Sequence, residues 1–295
     1  MVFMTTRRAP RLALALAFLG VPLLTGCSAL GTSDSGKPQV VAAFYPLAYV
    51  AARVAGEHVE ITNLTSAGIE PHDLELTPQQ VADISEADVV FYEGGFQPAV
   101  DAAIEQSAGG TVLDVTDVVP LLDGDPHLWL DPTRLIPIAE KFAKGITAAD
   151  PDHARDYRHN TDALVADLKS LDREFTDGLA SCQRTEFVTS HAAFGYLAQR
   201  YGLTMVPIAG LSPDLEPSPE HLAEIQDYIE GDGITTVFSE TLGSKKYADT
   251  LAHDLGVESA VLDPIEGLAD TSSGDDYLSL MRANLAALKE ANGCT

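Results

Sequence analysis

Asp73-Leu-Glu-Leu-Thr-Pro-Gln-Gln-Val-Ala-Asp-Ile84 and Asp214-Leu-Glu-Pro-Ser-Pro-Glu-His-Leu-Ala-Glu-Ile225 align without a gap. In each copy a hydroxyl residue, Thr77 or Ser218, stands before proline, so a cap is followed by a residue pre-set for the first helical position. Each predicted helix leads into an apolar strand that ends in glutamate, Val89-Val-Phe-Tyr-Glu93 and Thr236-Val-Phe-Ser-Glu240. The repeat extends upstream. Val40–Phe44, Pro46–Ala55 and Val59–Leu64 read as strand, helix, strand, and Phe187–Thr189, Ala192–Arg200 and Thr204–Ile208 repeat that order. Two copies of one α/β unit predict two pseudo-symmetric lobes, each a β-sheet flanked by helices.

Between the copies, Asp150-Pro151 supplies a further start signal, and Tyr157, Thr161, Leu164, Leu168, Leu171, Phe175 and Leu179 recur at steps of three and four. That spacing draws one apolar stripe along a helix. From Pro151 to Ala180 it would run about 45 Å, long enough to lie behind both lobes and stiff enough to limit hinging. The expected organisation is a leader over 1–26, a tether over 27–38, a first lobe over 39–149, a linking helix over 150–181 and a second lobe over 182–295.

The chain has 295 residues, 45% hydrophobic, with 18 Lys+Arg against 44 Asp+Glu and a formal charge of −26. This composition belongs to a globular chain, and its acidity disfavours nucleic-acid partners, which require cationic stripes. At the other end of the chain, Arg7, Arg8 and Arg11 precede an uncharged run, Leu12 to Leu24, that closes in Leu24-Thr25-Gly26-Cys27. The run spans about 20 Å as a helix, short of the ~30 Å bilayer core, so it reads as an export signal rather than an anchor helix. The ending resembles a lipobox, which implies a lipidated Cys27 and a lipid-anchored protein outside the cytoplasm. Gly31 to Pro38 has the composition of a flexible tether. In an oxidising compartment the two remaining thiols, Cys182 and Cys294, are expected to pair.

Eight histidines are the richest chemical resource, yet His-Glu-x-x-His, Cys-x-x-Cys, Gly-x-Ser-x-Gly and glycine-rich phosphate loops are all absent from the sequence. His153 and His159 fall on the polar face of the linking helix, His221 and His253 inside helices, and His58 beside Glu57 and Glu60; these read as solvated. His72 in Glu70-Pro-His-Asp73, His127 in Asp125-Pro-His-Leu-Trp-Leu-Asp-Pro132, and His191 directly after Phe187–Thr189 differ. They sit at strand ends or before helices, where open α/β sheets place their ligand crevice. His72 and His191 lie on the loop side of related β-α units, so facing lobes would bring them together.

Four segments carry a resemblance: Pro71-His-Asp-Leu-Glu-Leu-Thr-Pro78, Asp125-Pro-His-Leu-Trp-Leu-Asp-Pro132, Thr189-Ser-His-Ala-Ala-Phe-Gly-Tyr-Leu197 and Leu262-Asp-Pro-Ile-Glu-Gly-Leu268. In this order they resemble the signatures of the zinc- and manganese-binding solute-binding lipoproteins of ABC importers, from Val40 to the C-terminus. The resemblance implies a metal site in the interlobe cleft, with His72 and His127 from the first lobe and His191 and a carboxylate from the second. The acidic ligand of that family falls nine residues after Val257, at Glu266, which is preferred over Asp263; Asp263 is then a supporting loop carboxylate. Manganese members carry Glu where His191 stands, so the match is to the zinc type. It also implies an extracytoplasmic, monomeric, non-enzymatic receptor that hands Zn²⁺ to an ABC permease and its ATPase subunit.

Three imidazoles and one carboxylate suit Zn²⁺, whereas Mn²⁺ favours more oxygen. Asp73 and Asp131 are candidate partners for the imidazoles of His72 and His127, with helix capping as the competing role. Leu128 and Trp129 are expected to wall the site or the nearby core. Val119 to Asp125 is short and lacks histidine, which argues against an auxiliary capture loop. Three other readings stay open at this level: uptake of manganese or another divalent ion on the same site, a secreted zinc hydrolase, and a surface adhesin or chelate receptor. A zinc hydrolase keeps an open coordination position, and an adhesin would bind its ligand with all three histidines removed.

Overall fold

A computed structural model describes residues 36–269 and 272–295. The expected leader, Cys27 as the expected lipidation site, and most of the expected tether lie outside the described residues. Two four-stranded parallel sheets are present. The first contains β1 (Gln39–Ala42), β2 (Glu60–Asn63), β3 (Val89–Tyr92) and β4 (Thr111–Asp114) in the order β2-β1-β3-β4. The second contains β5 (Glu186–Thr189), β6 (Thr204–Pro207), β7 (Thr236–Ser239) and β8 (Glu258–Val261) in the order β6-β5-β7-β8. The orders are the same, so the duplication read from Asp73 and Asp214 is a duplication of topology.

Helices α1 (Tyr45–Ala55), α2 (Pro78–Glu86), α3 (Pro98–Ser107) and α4 (Leu135–Ala149) accompany the first sheet. The second has α6 (Gly195–Tyr201), α7 (Pro219–Gly231), α8 (Lys246–Leu255) and α9 (Tyr277–Asn292). Both duplicated helices start as their sequence dictates. Thr77 accepts from Gln80 N–H while the Gln80 side chain accepts from Thr77 N–H, and Ser218 accepts from His221 N–H. Helix α6 starts later than the expected Ala192, because residues 190–193 form the loop that carries His191.

The linking helix α5 runs Ala154–Leu179, about 39 Å at 1.5 Å per residue. Its buried residues are Tyr157, Thr161, Leu164, Leu168, Leu171, Phe175 and Leu179, the stripe expected from the spacing. The start differs from expectation. Pro151–His153 form a 3-10 turn, and the Asp150 carboxylate caps no amide there; it accepts from the Tyr157 hydroxyl and bonds the His153 ring instead. His153 is also less solvated than expected, since its ring stacks on His58 with centroids 3.9 Å apart.

Helix α5 packs on α1 and α4 in one lobe and on α6 and α9 in the other. One continuous apolar core therefore crosses from lobe to lobe, joining Phe44, Trp129 and Phe142 to Phe187, Phe194 and Tyr277, while a smaller cluster around Val188, Ile225 and Val237 fills the outer second lobe. Polar ties reinforce the junction. Tyr277 donates to Trp129 O at 2.6 Å, Trp129 Nε1 donates to Pro264 O at 2.7 Å, Tyr196 donates to Asp125 O at 2.8 Å, and Gly68 N–H donates to Leu268 O at 2.8 Å. The expected Cys182–Cys294 disulfide is present and ties the C-terminal residues to the start of the second lobe.

Candidate metal centre

His72 stands in a 3-10 turn, Pro71–Asp73, that precedes α2. Glu70 accepts from His72 N–H at 3.3 Å, and the buried Gln97 donates to Pro71 O and to Thr65 Oγ1, fixing the turn from beneath. The ring packs edge-on to Phe96, with centroids 4.8 Å apart. His127 precedes a second 3-10 turn, Leu128–Leu130, whose three side chains are fully buried. Trp129 lies 5.4 Å from the His127 ring, centroid to centroid, and serves both as wall and as core.

His127 and His191 are aimed by the same device. Asp125 Oδ1 accepts both His127 N–H at 2.9 Å and Nδ1–H at 2.7 Å. Glu240 Oε1 accepts His191 N–H at 3.0 Å, and its two oxygens take Nδ1–H at 2.8 and 2.7 Å. A carboxylate that holds the proton on Nδ1 leaves the Nε2 lone pair facing the cleft, and it fixes the ring plane. Gly195 makes room for one of these carboxylates: a Cβ there would meet Asp125 Oδ2 at 2.6 Å.

From the sequence, Asp73 and Asp131 are candidates for this work, with helix capping as the competing role. Asp131 Oδ1 instead accepts from Thr133 N–H and Oγ1–H, a local turn. Asp73 reaches across the lobes, and its carboxyl shares a hydrogen bond with that of Asp214, which raises its pKa. The first residues of the two duplicated stretches thus meet next to His72. Asp125 and Glu240 carried a faint signal, as an acid two residues before a histidine and as the glutamate that ends a repeated strand. Asp263 is not at the centre; its Oδ2 accepts from Thr241 and its Oδ1 from Ile265 N–H.

Glu266 closes the group. Its Oε1 lies 3.1 Å from His127 Nε2 and 3.4 Å from His72 Nε2 and His191 Nε2. His72 Nε2 is 3.3 Å from His127 Nε2, which is 3.2 Å from His191 Nε2. Side chains of His127, His191 and Glu266 are at most 1% exposed and that of His72 is 10% exposed, so solvent reaches the group past His72. Among the described residues, this is the one group of three or more His, Cys, Asp or Glu side chains placed to hold a metal ion.

The electrostatics are those of imidazoles crowded around carboxylates. Burial pulls the His191 pKa down, but the hydrogen bonds its ring donates to Glu240 and Glu266 prevail and bring it to about 10. His127 is likewise raised, against burial, by Asp125 and Glu266. Glu266 is held well below the usual carboxylate range; burial opposes this, and the hydrogen bonds from His127, His191 and His72 outweigh it. Glu266 Oε2 is buried and receives no hydrogen bond from an amide, hydroxyl or imidazole. Glu70, which the sequence reading passed over, lies against Glu266. Burial, then the charge and contact of Glu266, push its pKa up to about 9.

Two parallel-sheet lobes with three imidazoles and a carboxylate converging between them define a cleft-type metal-binding protein. Residues 40–291 match the family model described as ZnuA, zinc-uptake complex component A periplasmic, and the chain belongs to this family. It is 35% identical to the zinc-binding lipoprotein AdcA of Streptococcus pneumoniae, over 95% of this chain but only 60% of the relative. It is 33% identical to the high-affinity zinc uptake system protein ZnuA of Bacillus subtilis, over 94% of this chain and 95% of that protein. The crystal structure of the Zn(II)-bound ZnuA-like domain of pneumococcal AdcA superposes with a TM-score of 0.77 at 37% identity, covering 87% of this chain and 99% of the domain.

Proposed function

We propose that this chain is an extracytoplasmic, non-enzymatic receptor that binds Zn²⁺ through His72, His127, His191 and Glu266 and delivers it to an ABC permease and its ATPase subunit. One observation carries the reading. Ligand bonds of ~2.0–2.1 Å in a tetrahedron require donor–donor edges of about 3.3–3.4 Å, and the five edges quoted above run from 3.1 to 3.4 Å. The names of the AdcA and ZnuA relatives, zinc-binding and zinc-uptake proteins, support the cargo and the route. Four protein donors fill a tetrahedral zinc, which leaves no position for the activated water of a hydrolase. The reading includes lipid attachment at Cys27, which suits the printed description of AdcA as a lipoprotein, and action as a monomer.

The test is metal analysis of the purified protein with Zn²⁺ and Mn²⁺ in competition, beside His191→Glu. The wild type should take up one zinc and resist manganese, and H191E should lose preference for zinc. A wild type that prefers manganese, or whose zinc uptake survives combined replacement of the three histidines, overturns the assignment. Substitution with cobalt probes the enzyme question, since a solvent-exchangeable position would favour hydrolysis.

A further inference from the structure

Ile265, next to Glu266, has φ +56°. A β-branched residue in the left-handed region is a genuine outlier, and such strain persists only where the surroundings over-determine it. Among the described residues the other positive φ values belong to glycines and to Asp123, for which the region is ordinary. Ile265 is fully buried, so glycine's freedom has been given up in exchange for apolar packing.

The polar groups of Asp263, the Pro264 carbonyl and the Ile265 amide are all tied down. Asp263 Oδ1 accepts Ile265 N–H at 2.8 Å, and Asp263 Oδ2 accepts from Thr241 at 2.7 Å. Asn284, buried on α9, clasps the Asp263 backbone from both sides: its Oδ1 accepts Asp263 N–H at 2.8 Å, and its Nδ2 donates to Asp263 O at 2.6 Å. Pro264 O accepts the Trp129 indole N–H from the other lobe, and Trp129 O in turn accepts the Tyr277 hydroxyl, also of α9. Trp129 is two residues from His127, so one side chain couples the positions of donors from opposite lobes.

We infer that Asn284 and Trp129 are positioning residues for zinc: they hold the Asp263–Glu266 turn in its strained form and thereby keep the Glu266 carboxylate aimed at the three imidazoles before metal arrives. The inference rests on the receptor reading above. Neither residue touches the donor atoms. Without the clasp, the turn relaxes toward an ordinary φ in the metal-free protein, and zinc must restore the strain on binding. Glycine takes φ +56° without penalty, so the Ile265→Gly variant has no need of the clasp.

The test is a double-mutant cycle on the full chain. Zinc affinity is read by competition with a chelating dye, coordination by the visible absorption of the cobalt form, and fold by the melting curve of the metal-free form. Asn284→Ala should weaken zinc about tenfold or more and alter the cobalt spectrum in the Ile265 background, yet weaken it less than about threefold in the Ile265→Gly background. Trp129→Phe keeps an aromatic ring and removes only the N–H to Pro264, so it serves if I265G does not fold; it too should weaken zinc and alter the cobalt spectrum. Equal loss for N284A in both backgrounds, or unchanged affinity in both N284A and W129F, overturns the inference. A wild type that binds no zinc overturns the receptor reading instead.

Discussion

At the scale of single residues, the centre sets a proton against a metal ion. With its pKa near 10, the His191 ring keeps a proton in the metal-free protein across the physiological range. Zinc needs that lone pair, so binding displaces at least one proton. Affinity should therefore rise about tenfold per pH unit, or roughly 100-fold between pH 5.5 and 7.5, and calorimetry in buffers of different ionisation enthalpy should count the released proton. A flat profile would refute coordination by His191. The effect on the metal-free fold has the opposite sign. A raised imidazole pKa adds stability that is complete below the ordinary value of about 6.5 and is lost as pH climbs through about 10. The four clustered side chains were legible in the chain because each sits in a short motif that resembles those of a known family. Asp125 and Glu240 were less so, since an acid that orients a ring from behind is chosen by tertiary placement and leaves little local pattern.

Among elements, the duplication was the most readable feature, because matched caps, prolines and strand-end glutamates are local signals. It misled in one respect, by suggesting that the donors themselves are symmetric. His191 lies two residues beyond β5, and two residues beyond β1 stands Phe44, packed against Phe96 and Trp129. The counterpart of His72, one residue before the matched aspartates, is Pro213. Glu93 consequently ends β3 as Glu240 ends β7, but with no imidazole to hold: both its oxygens are buried without a hydrogen-bond partner. Burial first, then the charges of Asp114 and Asp125, push its pKa well above the usual value. A carboxyl whose folded pKa is raised contributes stability below its unfolded pKa and loses it as pH rises toward the folded value. Glu93→Gln should thus raise the melting temperature at pH 7.5, by about 2–4 °C per kcal/mol of penalty removed, with much less gain near pH 4.5. Equal shifts at both pH values would mean that Glu93 is not held protonated.

For the whole molecule, the question is how the proposed receptor would hold and release an ion between lobes that share one apolar core. Helix α5 contributes one unbroken apolar stripe to both lobes, and the core it feeds is continuous across the junction. Hinging would require bending α5, where backbone hydrogen bonds resist, or parting Trp129 from Pro264 and Tyr277, which would unseat the donor group itself. Five of the six donor–donor edges already stand within a few tenths of an ångström of tetrahedral values, which leaves closure little to add to those five. Large hinge motion, as in receptors whose lobes clamp on a ligand, is thus not expected. X-ray scattering of metal-free and zinc-loaded protein should give radii of gyration that agree within about 0.5 Å, whereas a hinge closure of that kind would exceed it. Release must then come from local change around His72, the one donor that solvent reaches. A clear contraction on zinc binding would restore the hinge and place the control of release in α5.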